Sequence, residues 1–183
     1  LMAINIFPAP TKQEASLPLV TSLQEVAETI QIDALQYAHT KFTQPMRATD
    51  LAELLQRHDF ISYFKFGLAE YIAKTLAAHD ENVQAIYYFD PDLNSDAETE
   101  TYMPLHASVN ILVQVESKSA ALESFIAALD EALTQQARKL PSPLYTSLAS
   151  ILNAILINKE DVDQGRGYAV LLSSMYLKPR QVW

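Results

Sequence analysis

Apolar positions recur at helical spacing along most of the chain and give way to strand-like runs near its middle. Leu23, Val26, Ala27, Ile30, Ala34, Tyr37, Ala38 and Phe42 fall three and four residues apart, which marks one face of a helix. Ser22 followed by Glu25 is a capping-box pair. The spacing predicts a helix over about 21–42, ended before Pro45. Asp50 and Glu53 repeat the capping pattern around Leu51, Leu54 and Leu55, predicting a short second helix. Ile61, Phe64, Leu68, Tyr71, Ile72 and Leu76 predict a third over about 60–79. Phe60, Tyr63 and Phe66 lie outside that stripe, so this helix is either buried centrally or an oligomer face.

Val83 to Phe89, VQAIYYF, is dense in β-branched and aromatic residues and predicts a strand; Ser108 to Val115, SVNILVQV, predicts a second. The connection between them, DPDLNSDAETETYMPLHA, is long for a compact domain. Glu116 to Lys139 predicts a helix with Leu122, Phe125, Ile126, Leu129, Leu133 and Ala137 in one stripe, stopped by Pro141 and Pro143. Residues 147–158 suit a buried strand or a buried helix turn equally. Gly165 and Gly167 mark a backbone constraint such as a turn with positive φ. Tyr168 to Leu177 reads as a buried helix, and Pro179 to Trp183 as a short tail or edge strand. At the amino end, Pro8, Pro10 and Pro18 predict an extended arm over 1–18, since each fixes φ and removes a donor. The elements add up to one helix-rich α+β domain over 19–183, with a helical part at 19–59 and a small mixed sheet.

Composition narrows the chemistry. A chain of 183 residues that is 49% hydrophobic and 19% charged is ordinary globular material. It has no Cys, so disulfides, thiolate metal sites and Cys nucleophiles are excluded. Three Gly are too few for a glycine-rich phosphate loop. No apolar run spans a bilayer, and Leu1 to Phe7 lacks the features of a signal peptide. With no Cys and no export signal, the expected location is the cytoplasm, with no membrane partner. A net charge of -9 argues against a nucleic-acid partner. Helix-turn-helix DNA binding fails as well, because the third helix offers Tyr63, Phe64 and Phe66 around a lone Lys65 where base-reading side chains belong.

The charge is concentrated. Asp80 to Glu131 holds 11 acidic residues against one basic residue, Lys118. This stretch is either a solvated face or a docking surface for a basic partner or a cation. Within it Asp90, Asp92, Asn94 and Asp96 alternate like the first half of a calcium loop. The match then fails: Ser95 replaces the turn Gly, and Thr101 replaces the bidentate Glu. Of His39, His58, His79 and His106, no two share an i,i+4 spacing, so a zinc site has no support. His79 closes a helix, where a cation favours the dipole. His106 adjoins the acidic loop, where it would serve as a pH-sensitive or metal-assisting group. Arg166 lies between two glycines before an apolar segment; it either meets an anion at a helix N-terminus or sits in a plain turn. No nucleophilic Ser elbow is present.

A helix, then VQAIYYF-DPD, a loop, ASVNILVQV and a long helix resembles the small nucleotidyltransferase domain over about 60–157. In that family one strand ends in Gly-Ser, the next opens with Asp-x-Asp, and a third Asp sits on a later strand. These carboxylates hold magnesium ions for a two-metal displacement on a nucleoside triphosphate. The motif residues do not carry over. Asp90 and Pro91 stand in place of Gly-Ser, Ser108 and Asn110 in place of the two Asp, and Asn153 in place of the third Asp if 152–157 is the later strand. Neutral side chains cannot balance a divalent cation as carboxylates do. The resemblance therefore implies a degenerate, non-catalytic relative without cofactors: a soluble interaction or regulatory protein, expected as a homodimer through the 60–79 helix or the apolar carboxyl end. The alternative is a small-ligand-binding protein or enzyme using the acidic 90–100 loop and His106.

Overall fold

The computed structural model describes residues 17–42, 51–90, 106–173 and 179–183. The first helix, α1 (Leu17–Thr40), starts earlier than its spacing predicts. Pro18 falls in its first turn, where the missing N–H costs nothing. Ser22 and Glu25 accordingly lie inside the helix, and the capping box read there is corrected: a first-turn proline starts the helix before the Ser is reached. Of the expected arm, residues 1–16 lie outside the described residues.

The short α2 (Leu51–Leu54) buries Leu54, and its expected cap Asp50 lies outside the described residues. Next, α3 (His58–His79) buries Phe60, Ile61, Phe64, Leu68, Ile72 and Leu76. Its extra apolar positions Phe60 and Phe66 are also covered within the chain, while Tyr63 is exposed. Most of its apolar side chains are thus buried within the chain. Gly67 lets α1 and α3 approach closely, since a Cβ there would lie 3.0 Å from the Tyr37 ring and 3.2 Å from the Ala34 backbone.

Both predicted strands form, as β1 (Val83–Phe89) and β2 (Val109–Val115), and pair antiparallel with Phe89 opposite Asn110. The crossover helix α4 (Ala120–Ala137) begins at its cap Ser119, whose hydroxyl accepts from Leu122 N–H, rather than at Glu116. After the one-turn α5 (Pro143–Thr146), the ambiguous segment becomes a strand, β3 (Leu152–Ile157), parallel to β2. The chain then forms α6 (Lys159–Gln164), a 3-10 helix (Gly167–Ser173) and β4 (Arg180–Gln181). The strand order is β3-β2-β1-β4, a mixed sheet with β4 antiparallel to β1. The tail is the predicted edge strand, extended by hydrogen bonds between Ile86 and residues 182 and 183. The buried helix expected over 168–177 is corrected for residues 168–173, and residues 174–177 lie outside the described residues. Residues 167–173 form a 3-10 turn that buries Ala169 and exposes Tyr168 and Val170. Gly165, the left-handed cap that ends α6, and Gly167 both take positive φ, as foreseen.

The result is one helix-rich α+β domain. Alternation on β2 sends Val109, Ile111, Val113 and Val115 into the large core with α1, α3 and α4, and Leu112 to the opposite face. That second face is thinner, with Leu112 and Ile157 packed against Ala169 and half-buried Tyr87, Phe89, Ile155 and Val162.

Candidate functional site

The carboxyl end of β1 and the starts of β2 and β3 meet at one end of the sheet, and the residues singled out in the sequence divide between its two faces. On the helix-covered face, Tyr88 and Asp90 meet Lys65 from α3. Lys65 Nζ lies 3.2 Å from Asp90 Oδ2, and both side chains are 1% exposed. The Tyr88 hydroxyl donates to the same Oδ2 at 3.1 Å. Phe66, beside Lys65, packs edge-on against Tyr88, and the Arg180 guanidinium covers the Phe66 ring at 4.3 Å. Asp90, expected in a solvent-facing acidic loop, is therefore buried and paired. The correction has a direct cause, because β1 carries its residue 90 beneath α3, where a buried ammonium balances the charge.

On the thin face, Asn110 and Asn153 are direct neighbours across the parallel β2–β3 pair. The Asn153 Nδ2 donates to Asn110 Oδ1 at 3.0 Å, with Asn110 buried and Asn153 exposed. Alternation places Asn110 on the face of Leu112, and Asn153 on that of Ile155 and Ile157. Ser108 precedes β2 by one residue and is half-buried, and His106 is exposed. Asp92 and Asp96, and with them the calcium-like spacing, lie outside the described residues.

The structure does not bring Arg166 to this end of the sheet. Arg166 follows α6, exposed, 3.6 Å from Glu160, and leads into a short 3-10 helix. This is the plain-turn reading. His79 ends α3 as predicted, with its ring stacked on Phe125 at 3.5 Å and 7° between planes. Among the described residues no group of three or more His, Cys, Asp or Glu is placed to hold a metal ion, and no helix is long and apolar enough to cross a membrane.

Two carboxylates escaped the sequence reading. Asp130 on α4 accepts from Ile151 N–H at 3.1 Å, Leu152 N–H at 2.8 Å and Ser150 Oγ at 2.7 Å, fixing the start of β3. Asp161 and Asn158 form a reciprocal capping box on α6. Lys118 Nζ lies 2.8 Å from Asp161 Oδ2, and this hydrogen bond, with that from Asn158 N–H, holds the Asp161 carboxyl below its ordinary range. The Asn158–Asp161 spacing was legible as a cap; the Lys118 partner, far away in sequence, was not.

Compared with protein-family models, with curated proteins and with solved structures, the chain matches none. What the site can do has to be argued from its own groups.

Proposed function

We propose that this chain is a non-catalytic interaction or regulatory protein, built on a degenerate nucleotidyltransferase-like core and acting in the cytoplasm. The observation that carries the reading is the Asn110–Asn153 hydrogen bond. At two positions where the resemblance calls for metal-binding carboxylates, two neutral amides share a hydrogen bond. An amide pair supplies no negative charge, whereas magnesium bound to a triphosphate is held by carboxylates. Asp90, at the same end of the sheet, is occupied by Lys65 and Tyr88 on the other face.

A homodimer and a basic protein partner belong to this proposal. For the homodimer, the burial of Phe60 and Phe66 within one chain leaves Tyr63, Tyr168, Val170 and Trp183 as the large exposed apolar side chains among the described residues of the segments first implicated. The alternative of an acidic-loop ligand site with His106 draws no support from Asp90, whose pairing removes it from that set. Calorimetric titration with magnesium and each nucleoside triphosphate tests the proposal. The expected result is no micromolar heat from the natural chain, and magnesium binding gained by the Ser108→Asp/Asn110→Asp/Asn153→Asp variant. Micromolar magnesium–nucleotide binding by the natural chain, lost in Asn110→Ala, would overturn it.

A further inference from the structure

The outer edge of β3 is one of the two edges of the described sheet. Alternate residues of a strand direct N–H and C=O to the same side. Ile151 C=O accepts from Val109 N–H at 2.7 Å, so residues 151, 153, 155 and 157 serve the β2 side. Residues 152, 154 and 156 therefore turn their backbone groups outward. The first outward N–H, at Leu152, is taken by the Asp130 carboxylate at 2.8 Å. Ala154 and Leu156, further along, lie beyond that carboxylate, and their outward groups have no partner among the described residues. LNAILI contains no Lys and no Pro, and the β2–β3 register runs without a bulge, so three of the usual edge defences are missing from this strand.

Beside this edge runs a groove of about 210 Å³ between α4 and β3. Its α4 wall is formed by Glu123, Ile126, Ala127 and Asp130, and its floor includes Ala154 and Leu156. Ala127 is small and exposed, so the wall leaves width for an extended backbone. None of the lining residues is basic. Asp130 is already engaged by backbone amides, whereas Glu123 is exposed. The lining thus carries two acidic side chains and no cation.

We propose that the β3 edge and its acidic groove take an extended, basic segment of a partner protein as an added strand, hydrogen-bonded to Ala154 and Leu156, with a Lys or Arg reaching Glu123. Four outward backbone groups, the N–H and C=O of residues 154 and 156, supply the affinity, and side chains alternating toward α4 and toward Ile155 supply the selection. Charge complementarity sets the sign of the partner and speeds its encounter. This deepens the interaction reading above and names its surface, but its test reads strand docking and involves neither metal nor nucleotide. The two can therefore fail separately.

The probe is a capped hexapeptide of alternating Lys and Val, followed by amide chemical shifts and hydrogen exchange in the full chain. The amides of Ala154 and Leu156 should shift and become protected, and a Glu–Val counterpart should bind at least tenfold more weakly. Ala154→Pro deletes one outward N–H without touching the β2 ladder, and should weaken binding at least tenfold. Glu123→Lys, an exposed change that keeps the strand intact, should do the same. The proposal is overturned if the edge amides do not respond, if the Glu–Val peptide binds equally well, or if both variants bind as the natural chain does. It is also overturned if these amides are already protected in a dimer that Ala154→Pro dissociates, since the occupant would then be a second copy.

Discussion

Lys65 shows how much one residue's meaning depends on what the fold places opposite it. On a helix read alone it is a lone cation among aromatics. In the folded chain it sits 3.2 Å from Asp90, and both are sealed from solvent. Such a pair contributes little net stability, yet removing one partner strands a buried charge. Lys65→Met should destabilise the domain by about 3–5 kcal/mol in urea unfolding. Adding Asp90→Leu and Tyr88→Phe, which removes the remaining polar groups, should restore most of that loss. Equal stability of Lys65→Met and the natural chain would show the pair to be incidental. The burial of Asp90 was not legible because a run such as DPDLNSD reads as solvated loop, and only the meeting of β1 with α3 decides otherwise.

Among the elements, β3 depends most on long-range contacts. Its apolar sequence fitted strand or helix, and local spacing could not arbitrate. The parallel pairing with β2 and the hold of Asp130 on Ile151 and Leu152 decide for strand. Asp130→Ala should cost about 1.5–3 kcal/mol, the range for hydrogen bonds to a charged acceptor. It should also raise hydrogen exchange at Ile151 and Leu152 while leaving β1 unchanged; unchanged exchange at both amides would refute this anchoring role. At α6, the lowered Asp161 carboxyl gives a pH dependence of definite sign. A carboxyl held lower in the folded than in the unfolded chain contributes stability above its ordinary pKa of about 4, lost as pH falls through the lowered folded value. Lys118→Met should shrink that acid-side loss in unfolding measured from pH 6 to pH 2. An unchanged profile would show that Lys118 does not hold the carboxyl. The helices α1, α3 and α4 were legible from spacing alone, because each has a continuous buried stripe. The 3-10 turn after Gly167 was not, since an apolar run carries no record of the backbone reversal ahead of it.

At the scale of the whole molecule, the class α+β with a small mixed sheet followed from the order of elements, and the large core formed where the apolar stripes pointed. The candidate site was legible only in part. The positions Asn110 and Asn153 were marked by a resemblance, but their side-by-side placement comes from a parallel crossover through α4 that the sequence does not spell out. The central proposal is that this end of the sheet carries a hydrogen-bonded amide pair where the resemblance calls for metal-binding carboxylates. The most direct measurement follows the side-chain amide signals of Asn110 and Asn153 by NMR as manganese, a paramagnetic substitute for magnesium, is added with a nucleoside triphosphate. Both signals should survive stoichiometric manganese, broadening no more than exposed amides elsewhere. Selective loss of the two signals at equimolar manganese, restored by excess magnesium, would contradict the account and place a metal site at this end of the sheet.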